Sequence, residues 1–301
     1  MKNTLALMKR EWLQHRFAWT LMAVLPTVLA LLLLSFGEVH ISAEERGSHL
    51  PVALAAASVM GGMGLHMLIL WIVAVIIVAG LARRDHGDRS IEFWLSLPTG
   101  HAESLAVPML VHLLLAPIVA LGIGLVGGLL ASLVLVSRVE GTGAWLSLPW
   151  GTLLMAALAM VARLSVGLML ATLWLAPLLL MMVALTAWLG RWGLVVMSLG
   201  LGLGSVVLRE AFGIGALSDW LARIFVQAGQ AVTSSGQGSM VMETSDDLAG
   251  GLAHVPVWAW QDTLHAMGQA ASPVVLGGLI LAGACFAMLV QWRQRGAQHG
   301  G

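Results

Sequence analysis

The sequence predicts an all-α membrane protein with six transmembrane helices. Of its 301 residues, 59% are hydrophobic and only 10% are charged, whereas a soluble globular domain carries about 25% charged residues. Mean hydropathy is +0.91. Uncharged runs long enough to cross about 30 Å of hydrocarbon recur along the chain, separated by charged stretches. Thirteen Trp and no Tyr supply interfacial anchors. Zero net charge gives no electrostatic footprint for nucleic acid. The single cysteine, Cys285, excludes an internal disulfide and a thiolate metal cluster.

Residues 1–16 carry Lys2, Lys9, Arg10, Glu11 and Arg16, with Leu5, Met8 and Trp12 at helical spacing. That pattern predicts an amphipathic helix on the membrane surface. A plain positive segment ahead of a signal anchor is the competing reading. Cleavage is not expected, because the following apolar run is longer than a signal-peptide core and no small-x-small site follows it.

The first span covers 17–37, with Pro26 inside, and the polar loop from Glu38 to Arg46 follows it. The second covers 51–82 and ends at the charged loop 83–102. The third covers 103–136, with Pro108 and Pro117 inside, and the short loop 137–147 follows. From Leu148 to Gly190 the only charge is Arg163, over a run that a helix would stretch to about 60 Å. Two spans could turn at Arg163. Alternatively, 149–163 is interfacial and one span covers 164–189, which keeps Arg163 at the interface, where its charge costs little. The fifth span covers 193–208. Residues 209–271 are the longest polar region and are expected outside. Within them, Leu217, Trp220, Leu221, Ile224 and Phe225 repeat at helical spacing, and 233–238 is a Ser/Gly-rich linker. The sixth span covers 272–292 and is stopped by Arg293 and Arg295.

Charge asymmetry orients this arrangement. With six spans, Lys2, Lys9, Arg10, Arg16, Arg83, Arg84, Arg89, Arg191, Arg293 and Arg295 share one side, ten of the fifteen basic residues. Ten of the fifteen acids fall on the other side. The positive-inside rule makes both termini cytoplasmic. Seven spans would put Arg293 and Arg295 outside, against that rule.

No catalytic constellation is present. The sequence holds neither H-E-x-x-H nor G-x-S-x-G. No expected span has an Asp or Glu in its middle, which disfavours a paired-aspartate hydrolase and a proton-coupled transporter. His66 and His112 are the mid-span titratable groups, about 24 Å and 12 Å from the cytoplasmic ends of their helices by rise per residue. Their different depths argue against a shared metal, and each reads first as a satisfied or cavity-facing histidine. Residues 122–127 match G-x-G-x-x-G inside an apolar span, without the strand that gives the motif meaning. Gly124 with Gly128, and Gly200 with Gly204, are small-xxx-small pairs that permit close helix packing. Only Lys2 and Lys9 occur, and neither follows a glycine, so a P-loop is excluded and any ATP belongs to another polypeptide.

The loop has its own pattern. Arg83 and Arg84 close the second span and Gly87 interrupts the chain. Asp88 or Ser90 caps a new helix, with Glu92 in its first turn. Ile91, Trp94 and Leu95 form an apolar stripe, Phe93 and Leu97 a second pair, and Pro98 ends the helix. A helix of about two turns over 90–97 is expected. It either docks a protein or buries Phe93 and Trp94 among lipid headgroups.

The segment from Asp88 to Pro98, D-R-S-I-E-F-W-L-S-L-P, resembles the cytoplasmic loop between the second and third spans of ABC-2 type transporter permeases. Lys9-Arg10-Glu11-Trp12, Leu173–Pro177 with Thr186-Ala187-Trp188, and Gln291–Arg295 are also similar to that family. The likeness covers most of 1–208 and 272–295 and is thin over 209–271. It implies the permease of an ATP-driven exporter in a bacterial cytoplasmic membrane. Two copies would pair with two separate ATP-binding subunits, which would hold the ATP and Mg2+; this chain would bind no cofactor. The loop helix would be a coupling helix, with Arg84, Asp85, Asp88, Arg89, Glu92, Phe93, Trp94 and Leu97 as contacts and Trp12 and Arg16 as secondary ones. The alternative is a non-transport scaffold or sensor docking a cytoplasmic partner through 83–103. The substrate class stays open between a lipid, a hydrophobic drug and an amphipathic peptide.

Overall fold

In hydrocarbon a backbone N–H or C=O finds no water, so long apolar runs satisfy themselves as helices. In the computed structural model, which describes residues 2–40, 47, 49–87, 100–234 and 248–298, the described residues contain no strand. The helices are α1 (Lys2–Phe36), α2 (Leu50–Gly87), α3 (His101–Glu140), α4 (Thr142–Leu146), α5 (Trp150–Leu189), α6 (Trp192–Phe212), α7 (Ala216–Val232), α8 (Leu248–Ala270) and α9 (Pro273–Gln298). Six of them, α1, α2, α3, α5, α6 and α9, are long and apolar enough to cross a membrane.

Two helix boundaries differ from expectation. The surface helix of 1–16 is not separated from the first span: α1 runs unbroken from Lys2 to Phe36. No Gly or Pro interrupts it before Pro26, and its buried charge is matched by other helices. Around Arg163 there is no turn, because α5 is one helix of 40 residues. Arg163 lies 26 residues from Leu189, about 39 Å along the axis. That length alone exceeds the hydrocarbon thickness. The first turns of α5 pack on α8 through Leu153, Ala156, Leu252 and Val255, and α7 packs on Ala171, Trp174 and Leu178.

A close crossing joins α2 to α3. A Cβ at Gly124 would stand 2.5 Å from the Gly62 carbonyl oxygen, and one at Gly128 would stand 2.6 Å from that of Ser58. Backbones this close leave no room for a side chain. Gly200 and Gly204 do not repeat this. Nothing lies within 4 Å of a Cβ at Gly200, and one at Gly204 meets only Leu217, at 4.0 Å. The reason is that α6 is peripheral: most of its large apolar side chains are exposed, including Leu199, Leu203, Val206 and Val207.

The main core joins α2, α3, α5 and α9 through Val78, Leu105, Val183 and Leu289. A second lies among α7, the α5 residues Trp174 and Leu178, and Val275. Of the face expected on 217–225, Ile224 is buried and Trp220 and Leu221 pack against this core, whereas Phe225 is exposed. At the opposite end from Glu11, Arg138 donates to the carbonyls of Leu34 and Gly37, tying the ends of α3 and α1.

Candidate functional site: a polar junction at the root of the 88–99 loop

Glu11 and His15 are one turn apart on α1 and therefore share a face. Opposite them, α3 is locally widened. The Ala116 N–H bonds to the Val111 carbonyl, five residues back, in a π turn over Val111–Leu115. Pro117, which has no N–H to give, follows immediately. The turn carries His112 into the bundle, fully buried. The end of α2 brings Arg84.

These four side chains form one network. Glu11 is 0% exposed. Arg84 Nη2 donates to Glu11 Oε1 at 2.7 Å and Nη1 to Oε2 at 2.9 Å, a bidentate fork. His112 Nε2 lies 3.1 Å from Oε2, and His15 Nε2 lies 4.0 Å from the same oxygen. The imidazoles of His15 and His112 meet edge to face, with centroids 5.0 Å apart, and Trp19 packs on both. His15 Nε2 and His112 Nδ1 are buried without a hydrogen-bond partner. Thr4 Oγ1 adds a bond to Glu103 at 2.7 Å, again between α1 and α3. Removing any one charge here would strand its partner away from water, so the pair locks three helices in register more than it adds net stability.

Arg83 points the other way. Its guanidinium lies against Gly190, the residue that ends α5 with φ of 59°. A cation there faces the carbonyl end of the α5 dipole. Thr186 Oγ1 donates to the Ala79 carbonyl at 2.6 Å and completes the α2–α5 contact. Of these two consecutive arginines, Arg84 is hydrogen-bonded to α1 and Arg83 lies against the end of α5.

Of the contacts expected from the resemblance, Arg84 is in this network. Asp85 is in the last turn of α2. Asp88, Arg89, Glu92, Phe93, Trp94 and Leu97, with the expected coupling helix, lie outside the described residues. Trp12 is exposed, with its ring 5.8 Å from that of Trp19, and Arg16 is exposed on the same helix. Beside the network, an apolar cavity of about 680 Å³ lies between α1 and α3, lined by Met8, Trp12, Trp19, Val111 and Ile123, with Lys9 at one end.

The two mid-span histidines are separate, as their depths imply. His66 Nδ1 lies 2.7 Å from the Gly62 carbonyl oxygen, and Nε2 lies 3.1 Å from both the Thr27 hydroxyl and the Ala23 carbonyl oxygen. Both ring nitrogens thus face polar groups of α1 and α2, as in a packing histidine. For His112 the sequence held only one signal, an ionisable group in an apolar run between two prolines.

A second buried pair went unread in the sequence. Arg163 Nε donates to Asp262 Oδ2 at 2.7 Å, Nη2 lies 2.5 Å from the same oxygen, and Nη1 donates to the Ala231 carbonyl at 2.6 Å. It ties α5 to α7 and α8. A signal did exist: Leu252, Val255, Ala259, Asp262 and Ala266 make one buried stripe along α8, and Asp262 is its only charge.

Compared with protein-family models, curated proteins and solved structures, the chain finds no match in any of the three.

Proposed function

We propose that the chain is the membrane subunit of an ATP-driven exporter, energised by a separate ATP-binding subunit that docks on the loop between α2 and α3. The observation that carries this reading is the root of that loop. Arg84 grips Glu11 of α1, and Arg83 sits on the end of α5. A push on this segment would therefore reach α1 through the charge-assisted Arg84–Glu11 fork and α5 through the packing of Arg83 on Gly190. The sequence adds two supports: the chain has no nucleotide-binding lysine of its own, and its basic residues cluster on the loop side, which the positive-inside rule assigns to the cytoplasm.

In this reading the membrane is a bacterial cytoplasmic membrane and two copies of the chain assemble. The exposed apolar face of α6, including the open Gly200, is a surface on which a second copy would bury area. The translocation path then forms between copies, and its apolar walls favour a lipid or another amphiphile. The test is ATP turnover in nanodiscs. The reading expects a P-loop ATPase to be encoded beside this chain, and expects it to hydrolyse ATP faster with the permease than alone and faster again with a transported amphiphile. Identical turnover with and without the permease would reject it.

A further inference from the structure

We infer that Glu11, His15 and His112 form a binding site for a divalent transition-metal ion of the zinc class. One ligand atom from each of Glu11, His15 and His112 lies within 4.8 Å of the other two. Two ligands each about 2.0–2.1 Å from a tetrahedral zinc stand about 3.3 Å apart. The observed separations from Oε2 are 3.1 Å to His112 and 4.0 Å to His15, so a swing of His15 by less than about 1 Å brings it to ligand spacing. His15 is free to make that swing. Its side chain is 22% exposed, whereas Glu11 and His112 are fixed and fully buried. The same opening is the entry path. Most telling, His15 Nε2 is buried, points at the carboxylate and has no hydrogen-bond partner. A buried ring nitrogen in that state is a lone pair or a proton lacking its counterpart.

Two imidazoles and one carboxylate are a borderline-soft donor set, suited to Zn2+ and Co2+ rather than to Mg2+ or Ca2+. Three protein ligands leave a fourth position for water. Arg84 opposes the ion in charge and shares its carboxylate. An ion on Oε2 displaces the Nη1 bond, while the Nη2–Oε1 bond at 2.7 Å is on the other carboxylate oxygen. Metal and Arg84 therefore compete for Glu11, and occupancy loosens Arg84, the residue at the root of the loop. The ion would thus regulate how firmly the loop is mounted. The metal site itself does not depend on the exporter reading.

The experiment uses the full chain, purified in detergent on a tag without histidine, stripped with chelator and titrated with Co2+. Visible d–d absorption and bound metal per chain are read. One Co2+ per chain is expected, displaced by Zn2+. His15→Ala should weaken uptake by more than roughly 100-fold, beyond the effect of losing a supporting group. Because His15 is partly exposed, that variant should keep the fold, checked by tryptophan fluorescence. His40→Ala, on the exposed Glu38 pair, should bind as wild type. Arg84→Gln should tighten binding about tenfold or more, since it removes an adjacent like charge. No stoichiometric Co2+, or equal uptake by wild type, His15→Ala and Glu11→Gln, would overturn the site. Weaker binding by Arg84→Gln would overturn the competition. Exporter activity is not read in any arm, so failure here leaves the proposed function standing.

Discussion

Asp262→Ala should detach the polar region from α5. Arg163 and Asp262 have side chains 1% and 0% exposed. Asp262 accepts from Arg163 Nε at 2.7 Å and lies 2.5 Å from Nη2, leaving only the Nη1 bond to Ala231 when it is removed. Deleting one member of a buried ion pair costs about 3–5 kcal/mol, because the surviving charge keeps its desolvation cost. At about 1.4 kcal/mol per decade, the undocked fraction of α8 rises by roughly two to nearly four orders of magnitude. The assay is limited proteolysis of the detergent-solubilised protein, following cleavage within 248–270, with intrinsic tryptophan fluorescence reporting Trp258 and Trp260. The double variant Arg163→Met, Asp262→Leu replaces both charges with apolar volume and should recover protection to within about 1 kcal/mol of wild type. Protection of Asp262→Ala within about 1 kcal/mol of wild type would refute the reasoning, as would a double variant no better than the single one.

Further outcomes follow from the same contacts. Glu11→Gln should destabilise α1 docking by about 2–4 kcal/mol, below the fully buried case because Arg84 is partly exposed and water screens it; thermal unfolding in detergent measures it, and Arg84→Gln on that background should recover part of the loss. Gly128→Val should cost more than about 3 kcal/mol, since its Cβ would stand 2.6 Å from the Ser58 carbonyl oxygen; Gly200→Val, in open space, should cost less than about 1 kcal/mol as a monomer in the same assay. His66→Leu should cost about 1–3 kcal/mol by leaving the Gly62 carbonyl without its extra bond and the Thr27 hydroxyl unpaired, with no change in metal uptake.

The sequence and the structure agree where the determining physics is local. Six apolar runs long enough to cross hydrocarbon are visible residue by residue, and they emerge as six helices of matching order. The small-residue pair Gly124 and Gly128 was equally legible, because a close crossing needs the absence of side chains. What was not legible depends on partners far along the chain. Glu11 and Arg84 are 73 residues apart, and Arg163 and Asp262 are 99 apart. A charge read alone in an apolar run is assigned to an interface, the cheapest place for it. Arg163 is buried against a carboxylate supplied by the long polar region 209–271. Likewise, the break expected after Arg16 rested on the change from charged to apolar composition. A continuous α1 tolerates that change, because Glu11 is paired with Arg84 and in contact with His112 rather than with water. The π turn that aims His112 has no periodic signature, only the flanking prolines.

The central claim is that the loop rooted at Arg83 and Arg84 receives a separate ATP-binding subunit. Its most direct test is co-purification of the chain with a P-loop ATPase, the account expecting one to be encoded beside it, wild type against Phe93→Asp plus Trp94→Asp. The account predicts a stable complex for wild type, and for the variant a folded membrane subunit that elutes without the ATPase and no longer stimulates its turnover. A complex and turnover unchanged by the double substitution would contradict it.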